Sequence, residues 1–587
     1  MVLVSVLISC GSIFAIPAQR GIKKLIRLQD GTKVTAELKG DEWMHWWQAA
    51  DGRTFVFNDK ASVYEEISLD TLQASSSRQR EHAAKSRAET ISKLRMAKST
   101  RATEKKRGLI LLVNFADKKF NEANTKTFYE RMANEEGYSE RGFHGSIRDY
   151  FLAQSNGAFD VSFDVVGPVE MQNGYAYYGS GRTSTNAAGN AYKMVIEACK
   201  AADKDVDFSK YDWNGDGEVD QVVIVYAGPG FATGGDDNTI WPHETGLSAF
   251  TNDQLTLDGM KIEKYACSNE IMYPTLANGE YDKTQEIPAG IGILCHEFSH
   301  CLGLPDMYDT AGQRYYCMSV WSVMDQGCYA GGTYIPVNYT AHERMFCGWA
   351  EPVTLDKATS VKGMGSSTDY QTPFIIYSDS KRAKGKEYYL LENRQPTGWD
   401  KGLEGYGRGL IITHVDYNES AWSSNEVNAG ILGGGYLRCT VFQADNGKGT
   451  PFASDTLGIA GDPYPYIVDG VVKNNSLTNE SAPASIINNK DFSFDEPDKM
   501  SKPITNITMA EDGSISFDFM GGSADNVITA INGIIDSTKP HDGTVRVYDA
   551  TGSLVISVPS SSYSDSILPA NGFYIVKEGN HTRKIVR

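Results

Sequence analysis

Within Ile291–Asp309, IGILCHEFSHCLGLPDMYD, the residues His296-Glu297-Phe298-Ser299-His300 follow the pattern H-E-x-x-H. On a helix, side chains four apart project from one face, so two imidazoles at this spacing can grip a single cation. Zinc suits such a nitrogen pair, and Glu297, next to the first histidine, reaches a water at the metal. Gly303 lets the helix stop and the chain turn, since glycine tolerates positive φ, and Pro305 enforces the break. Asp306 can then fold back as a third, oxygen ligand. Three protein ligands with one position open for water describe a catalytic zinc, whereas a structural zinc is closed by four. The five-residue pattern alone is weak, because it recurs on ordinary helices with solvated histidines. The extension H-E-x-x-H-x-x-G-x-x-D is stronger, as is the apolar side formed by Ile291, Ile293, Leu294, Phe298 and Leu302. A buried histidine needs a partner, and a metal supplies one. Glu343, 43 residues after His300, is a rival oxygen ligand, but the local route through Gly303 and Pro305 favours Asp306.

A second cation is suggested by Asp212, Asn214, Asp216, Glu218 and Asp220, which set oxygen ligands at the spacing of a calcium loop around Gly217. A full loop of that type needs a bidentate glutamate at its twelfth position, where Val223 stands, so further ligands must come from elsewhere. The plain alternative is an acidic turn. Tyr308 and Asp309 are placed to orient metal ligands by hydrogen bonding. Tyr329 is a candidate oxyanion donor that nothing separates from the other tyrosines. His243 reads as a satisfied core histidine, and so does His414, although Asp416 shares its strand face.

The elements that must position these residues begin at Gly108. Leu109–Phe115 and Val219–Ala227 read as buried strands and Ala187–Ala202 as a helix, giving an α+β, zincin-like unit around a helix-borne metal. Residues 19–72 alternate apolar and polar positions with turn signals, a small β-rich unit. Residues 73–107 shift to Ser, Arg, Lys, Glu and Ala, an exposed linker whose run Lys105-Lys106-Arg107 invites cleavage. Residues 19–107 therefore read as a propeptide and linker covering the metal cleft; the alternative is a plain N-terminal domain. They hold no cysteine to block the metal, leaving Asp41, Glu42 or His45 for that role. Residues 421–522 continue as β-rich chain, and 523–587 look separate, with short strands and Asn-Gly and Thr-Gly turns suggesting a β-sandwich.

The chain has 587 residues, enough for several domains, and a formal net charge of −18, which disfavours nucleic acid as a partner. Its apolar start, residues 1–18, reads as a signal peptide ending near Ala15–Ala18, and no other stretch is long and apolar enough to span a bilayer. Removing it leaves eight cysteines, six of them between 267 and 347, an even number that predicts disulfide braces around the metal helix. Cys295 and Cys301 are out of phase with the histidine face, so packing or disulfide roles suit them better than metal ligation.

HEFSHCLGLPDMYD, with WSVMDQG after it, resembles the M6 peptidases, the immune inhibitor A-like secreted metalloproteases. Gly108–Phe115, Ser146–Phe151 with Gln154–Gly157, Tyr388–Arg394 and Gly407–Asp416 resemble further blocks of that family. The resemblance covers about residues 20–420, with the peptidase unit at 108–420. It implies a metzincin-like catalytic domain with Met324 as an apolar floor under the zinc, and it favours the propeptide reading. NGFYIVKEGNHTRKIVR resembles the C-terminal sorting domain of the type IX secretion system. Together these imply a secreted or cell-surface zinc endopeptidase, exported through the periplasm as a latent monomeric precursor. Glu297 would be its general base, zinc and calcium its cations, and proteins or peptides its substrates, with the secretion machinery as partner. A calcium-dependent adhesin with a vestigial zinc site and a zinc hydrolase of non-peptide bonds are the competing classes.

Overall fold

The computed structural model describes residues 16–586 apart from 42–43, 59–60, 73–104, 181–188, 314, 370–371, 430–436, 448–455, 490–498, 530–543, 550–553, 560–562, 565–567, 569–571 and 579–580. Its architecture is mixed α+β. Five strands between Lys23 and Glu66 form an antiparallel sheet in chain order, as the alternating pattern there predicts. The central sheet runs His243–Gly246, Lys264–Met272, Val222–Pro229, Lys106–Asn114, Val161–Glu170. These neighbours are parallel except the edge strand His243–Gly246, which pairs antiparallel with Lys264–Met272, as does the short sixth strand Ile287–Pro288.

The two middle strands are uninterrupted apolar runs because both faces of the sheet are covered. Ile110, Leu112, Val223 and Val225 share a core with Ile293, Phe298 and Leu302 of the metal helix and its end. Leu109, Leu111, Val113 and Ile224 face the other way, onto Met194, Val195 and Ala198 of the helix Ala191–Ala202. The metal helix, Ile291–Cys301, is buried along its whole length. Glycine at 292 is required, since a Cβ there would lie 2.0 Å from the Cys328 carbonyl oxygen. The helix thus rests directly on the 326–333 turns that follow Met324.

Beyond Cys347, a five-stranded sheet containing Glu387–Arg394 and Gly409–Asp416 packs on a four-stranded one containing Ile504–Met509 and Ile515–Phe519 through Leu391, Ile412, Phe517 and their neighbours. Val527–Thr529 pairs with Thr359–Met364, so the chain just after 523 is still part of that unit. The C-terminal residues form one antiparallel sheet, Thr544–Asp549, Leu554–Pro559, Phe573–Glu578 and His581–Val586; among the described residues it has no second facing layer of its own.

Two expectations change. All eight cysteines from Cys199 to Cys439 are free thiols, and only Cys347 is not fully buried. Cys199 and Cys267 lie in one core, Cys295, Cys328 and Cys439 in another, so an even count in sequence does not become pairs in space. The basic run at Lys105–Arg107 is not on a tether. Lys106 and Arg107 open a central strand, paired with Val161 and Ser162, and Arg107 is ion-paired with Asp164 at 2.6 Å. No helix among the described residues is long and apolar enough to cross a membrane.

Candidate metal centre

His296 and His300 project from the same face of the metal helix, and Gly303 turns the chain at φ +87°. That turn brings Asp306 back onto the pair. Asp306 Oδ1 lies 3.3 Å from His296 Nε2 and 3.4 Å from His300 Nε2, and the two Nε2 atoms are 3.0 Å apart. Each ring is oriented from behind: His296 Nδ1 donates to the Val323 carbonyl at 2.8 Å and His300 Nδ1 to the Leu304 carbonyl at 2.8 Å. With their protons on Nδ1, both Nε2 atoms carry lone pairs, and these face each other and a carboxylate oxygen. Asp306 Oδ1 has no hydrogen-bond donor. Three mutually repelling acceptors in a fully buried position fit a cation between them. Their spacing matches too, because tetrahedral zinc with bonds of about 2.0–2.1 Å separates neighbouring donors by about 3.3 Å. Burial holds the His300 imidazole down at about 3, which keeps it a neutral ligand. Ligand atoms of His296, Glu297 and His300 all lie within 4.8 Å of one another, and no other such cluster occurs among the described residues.

Residues 95–347 match the family model described as immune inhibitor A peptidase M6, catalytic domain. This segment is similar to M6 catalytic domains. The chain is 30% identical over 266 residues to the pre-pro-metalloprotease PrtV of Vibrio cholerae, covering 38% of this chain and 27% of the relative. It is 29% identical over 310 residues to immune inhibitor A of Bacillus thuringiensis, covering 44% and 43%. It is 24% identical over 231 residues to a putative secreted metallopeptidase of Arthroderma benhamiae, covering 35% and 32%. The chain therefore spans less than half the length of each of these relatives.

Within this segment Asp306 is aimed by Asn425, whose Nδ2 donates to Asp306 Oδ2 at 2.6 Å while its Oδ1 accepts from Asp306 N at 2.7 Å. Nothing in the local spacing points to a residue 119 positions away. The rival ligand Glu343 is elsewhere: it caps its own helix through Thr340 N–H at 2.7 Å and accepts from the Ser322 hydroxyl. Met324 is fully buried, its carbonyl accepting from Met307 N at 2.8 Å, which ties the methionine turn to the chain just past Asp306. Tyr308 and Asp309 are buried beside it, and Asp309 Oδ1 accepts from Ala311 N at 3.0 Å. His243 sits between the Trp241 carbonyl at 2.7 Å and the Tyr265 hydroxyl at 2.9 Å, a core histidine.

The acidic loop is built differently. Asp212 Oδ1 accepts from Gly215 N at 2.7 Å, Asp212 Oδ2 from Gly217 N at 2.9 Å, Asn214 Oδ1 from Asp216 N at 2.9 Å and Asp216 Oδ1 from Glu218 N at 3.0 Å. Glu218 reaches Lys261 at 3.4 Å, and Asp220 turns inward to accept from Trp213 N.

Glu297 is fully buried, and burial raises its carboxyl well above the usual range. Its Oε1 accepts from the backbone N–H of Ile16 at 3.1 Å. Ile16 belongs to a strap threaded through the cleft. The Ile16 carbonyl accepts from Trp241 Nε1 at 3.1 Å, the Pro17 carbonyl from Tyr329 OH at 2.8 Å and the Ala18 carbonyl from Gln326 Nε2 at 3.2 Å. Arg20 N donates to Gln326 Oε1 at 3.1 Å. Residues 16–18, which read as the end of a leader, are therefore buried against Glu297. The residues expected to block the metal are not there: Asp41 Oδ1 accepts from Met44 N at 2.9 Å, and His45 stacks on Trp241 with ring centroids 4.9 Å apart. Glu42 lies outside the described residues.

Proposed function

We propose that this chain is a zinc endopeptidase made as a latent, exported precursor. The observation that carries the reading is the convergence of His296 Nε2, His300 Nε2 and Asp306 Oδ1 with no proton between them, beside a buried carboxylate at Glu297. A zinc ion held by those three atoms would supply Lewis acidity, polarising a peptide carbonyl and lowering the pKa of a water. Glu297 takes the proton of the attacking water and delivers it to the leaving amine. Tyr329 OH, which meets the Pro17 carbonyl at 2.8 Å, is placed to donate to a substrate carbonyl in the same cleft. Met324 would floor the site, and Tyr308 and Asp309 would help orient its ligands.

Latency is supported by the strap: with Ile16 N–H on Glu297, a substrate cannot enter. The word "pre-pro" in the name of the Vibrio relative agrees with a precursor, and the word "secreted" in that of the fungal relative agrees with export. The apolar start supports a leader, and the C-terminal strands support a secretion sorting domain. Calcium at Asp212–Asp220 is supported by ligand order alone, and an unfolding midpoint unmoved by millimolar calcium refutes it.

The experiment is a time course of casein cleavage by the full chain as it matures. Cleavage should appear as residues before Lys105 are lost, stop with o-phenanthroline and return with zinc. Cleavage that survives chelation overturns the reading, and so does a matured chain that cuts nothing.

A further inference from the structure

The strap holds the cleft mainly through contacts that any peptide backbone makes: one N–H on Glu297 and carbonyls on Trp241, Tyr329 and Gln326. One contact depends on the side chain. Arg20 Nη1 donates to Ser319 Oγ at 3.1 Å and Nη2 to the Tyr316 carbonyl at 3.2 Å, with the guanidinium carbon 5.5 Å from the centre of the Tyr316 ring. A flat cation over an aromatic face with two oxygen acceptors at its edge is the geometry arginine recognition needs.

The pocket is shaped independently of the strap. Cys317 and Ser319 both hold left-handed backbone, φ +55° and φ +48°, unusual for two non-glycine residues in three positions. That turn presents the Tyr316 carbonyl and the Ser319 hydroxyl to one point. Behind it Asp325 is fully buried, its Oδ2 accepting from Ser319 N at 2.7 Å and its Oδ1 from Gln326 N at 2.8 Å. Both donors are neutral amides. Burial pushes the Asp325 carboxyl up to about 7, and Arg20 is the cation that draws it down against that rise. A buried carboxyl whose charged form a cation favours, lying under a polar rim, suits a positive side chain better than a negative or apolar one.

We infer that Tyr316, Ser319 and Asp325 form a substrate subsite selective for arginine, which the strap fills with Arg20 while the enzyme is latent. The inference rests on the peptidase reading and adds a substrate class: polypeptides carrying arginine at one fixed distance from the cut bond. The strap sets that distance, because Arg20 lies four residues along from the residue whose N–H meets Glu297.

The test uses the full chain after its casein activity has reached a plateau. It is given a mixed peptide library and then two matched peptides in which arginine is replaced by citrulline, equal in shape but uncharged. Cut products sequenced by mass spectrometry should show arginine enriched at one position, and kcat/KM should favour arginine over citrulline by about tenfold or more, as expected of hydrogen bonds to a charged group. In Asp325→Asn the ratio should fall toward one; being a ratio within one preparation, it is independent of how much of the variant folds. Ser319→Ala, which removes only the rim hydroxyl, should lower it partway. Casein cleavage with no positional enrichment, or an unchanged arginine-to-citrulline ratio in Asp325→Asn, overturns the subsite and leaves the peptidase standing. No casein cleavage at all overturns the peptidase reading and the subsite with it.

Discussion

Two buried clusters in this molecule are made of the same parts, histidine and carboxylate, and they behave oppositely. At the end of the metal helix, His296, His300 and Asp306 turn three acceptor atoms toward one another, and no proton lies between them. On the sheet beyond Cys347, His414 Nε2 meets Glu387 Oε1 at 2.8 Å, and every other carboxylate oxygen has its donor. Glu387 is held by Asn488 and by Asn489 N at 3.1 Å, and Asp416 by Arg438 and by Asn489 Nδ2 at 2.8 Å. Residue types alone do not separate a metal centre from a structural knot. The balance of protons does: a cluster rich in donors is complete, and one made only of acceptors calls for a cation.

The sharpest way to break this contrast is to change the chemistry and keep the ligands. Glu297→Ala should retain one metal per chain by atomic absorption while casein cleavage falls by about 10²–10⁴-fold, the usual share of a general base. Next come the histidines. His300→Asn should lose its metal on dialysis, whereas His414→Asn should keep metal and activity and lose only stability, about 1–3 kcal/mol for a broken buried hydrogen bond, read by urea unfolding. Equal metal loss in both would erase the distinction. Asn425→Ala leaves all three ligands but frees Asp306, and zinc affinity measured by competition should weaken by about 10–100-fold. The smallest effect concerns Asp462, buried between the Tyr316 hydroxyl and Trp321 Nε1, the latter at 2.9 Å. Burial raises its carboxyl to about 7. The folded state therefore binds this proton more tightly than the unfolded chain, and the stability so gained is lost as pH rises toward and through 7. The unfolding midpoint of Asp462→Asn should gain on that of the wild type between pH 5 and pH 8; a constant gap would deny the shift.

What could be read from sequence was what is local. The spacing of His296, Glu297 and His300, the glycine turn at 303 and the return of Asp306 lie within eleven residues, where helix geometry decides which side chains meet. The buried strands were legible for the same reason, since both their faces had to be apolar. Glu343 had suitable spacing too, but a capping threonine three residues before it claims its carboxylate locally. Asn425, Trp241 and Gln326 left no signal, because their part depends on long-range packing that brings a polar side chain to one backbone atom. The strap was hidden by composition. Ile16-Pro17-Ala18 continue an apolar run, and the burial of such residues in a cleft leaves the same mark as a leader. The thiols misled in the opposite direction, because counting sulfurs carries no information about how far apart they lie.

Those thiols bear on how the fold is held together. Exported proteins often depend on cross-links closed by an oxidising partner, and a reductant then undoes them. Here the described sulfurs are packed as small apolar groups, and burial lifts Cys199 to about 12 and Cys295, Cys317, Cys328 and Cys439 well above the ordinary thiol range. Among the described residues, then, folding closes no cross-link that a reductant could undo.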